Sequence, residues 1–301
     1  MLSNRQSTEW KFIAILLVIL GHVGVVPHGG AIGVSVFLTL SGYGLGKSYH
    51  IYQLDNYWKK KALNVYLPYL IWSIFIVITL TIVNEEAITK ASIGKVICSV
   101  LGSPWNIYDP TMWYISYAML MYLIFWICYK VCVSTKNRLA LLSILCTLVG
   151  GITILIFPDS AGAYLYTISF PAGVYWGEFE ENGIAKNIKK INKGCAIASS
   201  FLVISILNYL SFVNIVLYLI FTSLVGLIAI PLLVVFNISE NKVLEFLGKC
   251  SYGMYLCEGV ILIYTWNYVG KENGLANIIC LISSIIVGIF LHILWIGIKK
   301  S

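Results

Sequence analysis

Three residues, Lys11, His22 and Glu258, stand where an apolar chain least favours them. His22, between Gly21 and Gly24, falls about eleven residues into the first apolar stretch, where a polar ring needs a partner and faces the protein interior or a water-filled cavity. An imidazole titrates near neutrality, so it can take a proton from a hydroxyl or accept an acyl group, although a buried histidine can also be purely structural. Lys11 lies eleven residues earlier, three helical turns plus about 20°, so both side chains project from one face about 16 Å apart. That length is close to the reach of a pantetheine arm. A nucleotide held by a cation at the helix mouth would present its thioester to the ring, though many membrane helices begin with lysine for topological reasons alone.

A carboxylate inside an apolar segment costs on the order of a few kcal/mol, so Glu258 must find a partner or stay protonated. It lies about 13 Å beyond Lys249, a depth comparable with that of His22. Either it pairs with His22 and orients the ring, or it hydrogen-bonds to Ser, Tyr or Asn neighbours. Ser41 and Tyr43 are polar candidates near that depth, and Ser41-Gly42 can equally be a close-packing contact between helices. Lys59, Lys60 and Lys61 can attract an anion or simply anchor a helix end. Trp105 and Tyr108, followed by Trp113 and Tyr114, could form a sugar-binding surface. An interfacial aromatic belt explains the last two better than the first two.

The elements that must hold these groups follow from composition. Of 301 residues, 59% are hydrophobic and 11% charged, with a mean hydropathy of +0.87, which excludes an ordinary soluble domain. The fold expected is all-α and membrane-integral, a single membrane-embedded domain over 1–301, with apolar windows at 12–28, 31–46, 63–83, 112–133, 139–157, 161–178, 194–211, 213–236, 251–269 and 275–298. With the N-terminus inside, 17 lysines and arginines fall on inner segments and only Lys90, Lys95 and Lys271 outside, which predicts about ten spans and two cytoplasmic termini. The net charge of +7 is spread over separate loops, which argues against nucleic acid. The eight cysteines lie mainly in apolar runs without CxxC or Cys/His spacing, so no metal is expected. Arg5 and Lys11 precede Phe12–Leu20 as in a signal peptide, but no small-residue cleavage site follows, so the segment is expected to be retained as a span.

Lys11-x10-His22 and the segment Gly33-Val34-Ser35-Val36-Phe37-Leu38-Thr39-Leu40-Ser41-Gly42-Tyr43 resemble the Arg/Lys-x10-His and Phe-x-x-x-Ser-Gly signatures of the membrane acyltransferase 3 family. Lys59-Lys60-Lys61 ahead of Leu67-Pro68, Met112-Trp113-Tyr114-Ile115, and Leu247-Gly248-Lys249-Cys250-Ser251-Tyr252-Gly253-Met254-Tyr255-Leu256 resemble its later motifs in order. Two departures stand out. The paired cations before the proline are incomplete, since Asn64 and Val65 follow Lys61, and Cys257-Glu258 replaces a second histidine. The resemblance implies a multi-pass cell-membrane enzyme that moves an acyl group, commonly acetyl from cytoplasmic acetyl-CoA, to a hydroxyl of an envelope polysaccharide or lipid-linked sugar. It maps Lys11, helped by Lys59, Lys60 or Lys61, onto the CoA phosphates and His22 onto base or acyl acceptor. The chain ends at Ser301 directly after its last expected helix, so the membrane domain would complete the transfer itself or work with a separate envelope-synthesis partner. A transporter or flippase, with His22 and Glu258 on a substrate or proton path, is the chief alternative.

Overall fold

The structure, a computed structural model, describes residues 2–156, 166–181, 200, 202–206, 209, 215–236, 241–271 and 273–300. Every regular element among them is helical. Helix α1 (Asn4–His22) starts at a capping box: the amide of Gln6 donates to Ser3 Oγ and the amide of Ser3 to Gln6 Oε1, both at 3.0 Å. It stops at His22, where Gly24 (φ 78°) and His28 (φ 53°) take left-handed backbone conformations that reverse the chain into α2 (Gly29–Tyr52). The first helix therefore runs over 4–22, shifted from the 12–28 suggested by hydropathy, because a polar capping box opens it and a glycine turn closes it.

The chain continues through α3 (Tyr57–Lys61), a π-helical turn (Ala62–Tyr66), α4 (Leu67–Ile82), α5 (Glu86–Thr89), α6 (Ile93–Val100) and a short 3₁₀ turn (Pro110–Met112). Then come α7 (Trp113–Val131), α8 (Thr135–Ile156), α9 (Ser169–Glu181), α10 (Ile215–Phe236), α11 (Lys242–Val269) and α12 (Gly274–Lys300). Seven helical stretches among the described residues are long and apolar enough to cross a membrane. Helices stand at nine of the ten expected windows, while most of 194–211 lies outside the described residues. Helix α11 begins at Lys242, well before the expected 251, because Asn241 Oδ1 accepts the Val243 amide (2.8 Å) and Glu245 and Lys249 pair one turn apart.

The described chain divides into two compact units, Met1–Gln53 with Ile124–Ser251, and Leu54–Leu123 with Tyr252–Ser301. In the first, α2 carries two small-x-x-x-small faces. Gly29 and Gly33 let α1 approach until the carbonyls of Leu17 and Ala14 touch their α-carbons. Gly42 and Gly46 do the same for α9, which answers with Gly173 under the Thr39 carbonyl and Gly177 under that of Tyr43. Lipid supplies no hydrophobic drive between helices, so this close backbone contact is what binds them. Thr39, fully buried, donates its hydroxyl within 2.8 Å of the Ser35 carbonyl and lies 3.0 Å from that of Ser169. Trp176 Nε1 donates to the Leu227 carbonyl (3.0 Å) and ties in α10.

In the second unit the π turn has a local cause. Pro68 has no N–H, so the carbonyl of Asn64 loses its ordinary helical donor, and the widened turn closes instead from the Leu67 amide to Ala62. The hydroxyl of Tyr252 donates to the Val65 carbonyl in that turn (2.6 Å). Helices α11 and α12 cross with Gly253 against Gly288.

The segment after α6 folds inward. Asn106 Oδ1 accepts the amides of Tyr108 (3.0 Å) and Asp109 (3.1 Å), and its Nδ2 donates to the Ser99 backbone carbonyl. Tyr69, buried on α4, donates to that same carbonyl at 2.6 Å. These bonds satisfy loop amides and a carbonyl that burial would otherwise strand, which is what lets backbone lie buried here.

Candidate functional site

Helix α1 is unbroken from Lys11 to His22, so the two share one face about 16 Å apart, as the spacing predicts. Their placement differs from expectation. Lys11 stands mid-helix and His22 is the last helical residue, half-buried where α1 hands over to α2. Its ring lies beside the first turn of α2: a Cβ added to Gly30 would stand 3.8 Å from His22 Nε2, an ordinary contact distance. A second histidine escaped the sequence reading. His28 caps α2 with its ring edge-on to Tyr218 (4.9 Å) and near Phe221, and burial holds its imidazole below the usual histidine range.

Ser41 does not join His22. Ala14 faces Gly33 in the antiparallel pair, so Ser41, two turns further along α2, stands opposite the N-terminal half of α1. Its neighbour Gly42 rests on the Phe170 carbonyl, the close-packing role foreseen for the Ser-Gly pair.

Lys11, His22 and Ser41 belong to the first unit; Lys59, Lys60, Lys61, Trp105, Tyr108, Trp113, Tyr114 and Glu258 belong to the second. Lys59 and Lys60 are exposed on α3, whereas Lys61 lays its ammonium over the rings of Tyr122 (3.8 Å) and Tyr57 (5.6 Å), a cation–π contact that commits it to packing. The expected aromatic surface splits. Trp105 is 56% exposed, but Tyr108 is buried, its hydroxyl directed toward Ser73 and pushed to a higher pKa by burial. Tyr114 packs edge-on against Tyr255 (5.4 Å) and Trp113 against Tyr117, so both turn toward protein.

Glu258 is fully buried on α11. One residue on, Gly259 lies against a second buried carboxylate, Asp109, which the sequence did not single out. Asp109 Oδ1 accepts the amide of Thr111 (2.8 Å) and its hydroxyl (2.7 Å), and the Thr111 carbonyl accepts the hydroxyl of Tyr255 (2.9 Å).

Two other polar clusters in the first unit went unread. Glu9, fully buried, accepts the Asn241 amide at the start of α11 (2.6 Å), while Arg5 bridges it to Glu245 at 3.5 and 3.1 Å. Glu178 on α9, 2% exposed, receives the Tyr129 hydroxyl (2.6 Å) and lies 3.0 Å from His50 Nε2. An acid next to a small-residue helix face was the available signal for Glu178. No group of three or more His, Cys, Asp or Glu is placed to hold a metal among the described residues.

A family model described as an acyltransferase domain matches residues 10–294, nearly the whole chain. No curated protein and no solved structure matches it.

Proposed function

Because the chain belongs to the acyltransferase 3 family and carries seven apolar helices able to cross a membrane, we propose that this membrane acyltransferase moves acetyl from cytoplasmic acetyl-CoA to a hydroxyl of an envelope polysaccharide or lipid-linked sugar. The observation that carries this reading is the unbroken α1, with Lys11 and His22 on one face and the His22 ring beside Gly30. Lys11 draws the CoA phosphates as a point charge, and Lys59, Lys60 and Lys61 are further cations that such a donor could use. His22 then takes the proton of the acceptor hydroxyl, the oxygen attacks the thioester carbonyl, and the imidazolium returns the proton to the departing CoA thiolate. A covalent acyl-imidazole would divide the same transfer into two steps. Glu258 serves as a second catalytic group of the transfer, and Trp105, Tyr108, Trp113 and Tyr114 are the side chains offered to the acceptor sugar. One membrane domain of ten spans with both termini in the cytoplasm completes the reading.

His22→Gln tests it. The variant is expected to insert, fold and bind acetyl-CoA while O-acyl groups vanish from envelope glycans measured by mass spectrometry, since general base catalysis alone is worth about 10²–10⁴-fold. Wild-type acylation by His22→Gln at normal expression would overturn the catalytic role and favour a transporter.

A further inference from the structure

The loop that ends in Asp109 is fastened at both sides. Toward α4, Ser99 and Asn106 tie it to Tyr69 through the bonds already described, and the Ile107 amide donates to Ser99 Oγ at 3.1 Å. Toward α11, the carboxylate of Asp109 rests on the α-carbon of Gly259, where any Cβ would collide with both carboxylate oxygens and with Thr111 Oγ1. One turn earlier, Tyr255 grips the Thr111 carbonyl. These two contacts bracket Glu258, and Asp109 and Glu258 both lie within electrostatic reach of Tyr255 and Cys257. A fully buried carboxylate is an expensive way to cap a three-residue 3₁₀ turn, which a serine or asparagine would serve. Its second contact, on the turn that carries Glu258, is the one a simple cap does not explain.

We propose that Asp109 is a positioning residue of the acyl-transfer centre: it fixes the Tyr255–Gly259 turn, and with it the carboxylate of Glu258, and position 259 is glycine to admit it. This rests on the reading that Glu258 serves the transfer. A displacement of about 1 Å at a reacting group costs up to about a hundredfold in rate, so a loosened turn registers in turnover before it registers in binding.

The experiment uses full-length protein in native membranes, following radiolabelled acetyl from acetyl-CoA into membrane glycan, with acetyl-CoA binding and thermal stability measured on the purified protein. Asp109→Ala and Gly259→Ala are each expected to lower kcat by on the order of tenfold or more, with KM for acetyl-CoA nearly unchanged. The double variant should be little worse than either single one, because both release the same contact. Asp109→Asn keeps an oxygen for the Thr111 amide and hydroxyl and is expected to recover most of the turnover. Wild-type kcat in Asp109→Ala and Gly259→Ala, alongside a deficient Glu258→Gln, overturns the positioning role alone. Wild-type kcat in Glu258→Gln overturns the reading beneath it. Should Asp109→Ala fail to fold, Asp109→Asn decides: a stable variant with lost turnover would mean that the charge, and not the clasp, is what matters, and the proposal falls.

Discussion

At the scale of single residues, the pair Lys11 and His22 was legible because helical periodicity alone fixes their shared face, and α1 keeps that register. Their depth was not, since it depends on where the helix ends, and a turn of Gly24 and His28 decides that. Lys11 stands mid-helix, about three turns before His22. Lys11→Ala is expected to weaken acetyl-CoA use and Lys11→Arg to retain much of it, since phosphate recognition needs the cation. Equal acetyl-CoA consumption by purified Lys11→Ala and wild type at low salt would refute that role. Asp109 and Glu9 were illegible for a different reason: nothing in a single sequence distinguishes a carboxylate that will be buried from one that stays in water, until the loop or helix around it has folded.

At the scale of elements, hydropathy located helices but misplaced their ends, because the ends are polar. Ser3 and Gln6 open α1, and Asn241, Glu245 and Lys249 open α11, all outside the apolar windows. The α2 and α9 interface was half visible. Gly42 announced a close contact, but its partner face, Gly173 and Gly177, sits in the 161–178 window, where no contact was expected. That interface makes a sharp prediction. Gly173→Leu drives a side chain into the Thr39 carbonyl and is expected to cost about 1–3 kcal/mol or more, seen as a lower melting temperature of the detergent-purified protein. Gly44, on the same α2 but facing open space, is the control: Gly44→Ala is expected to be neutral or to stabilise by up to about 1 kcal/mol. Equal melting temperatures for the two variants would mean the glycine faces do not bind these helices.

At the scale of the whole molecule, the helical membrane class followed from composition, because 59% hydrophobic residues in 301 leave no other solvent than lipid. Which loop folds inward did not follow, since the segment before Met112 reads as solvent-exposed by its polar residues and is instead buried by its internal hydrogen bonds. A loop built this way has lost its freedom to change length. Between Ser99 and Thr111 the bonds of Ser99, Asn106 and Asp109 run from residue to residue, and one added residue would slide the whole set out of register. The turn after α5 has no such bonds across the unit, and Lys90 there is 72% exposed. An epitope tag placed between Lys90 and Ala91 is therefore expected to be tolerated, to be reached by antibody from outside intact cells, and to leave glycan acylation in place. The same tag between Trp105 and Asn106 is expected to abolish acylation. Lineages of this chain should accordingly vary in length on one side of Ser92 and hold it constant on the other, so that the accessible face of the protein drifts while the wall behind it stays fixed.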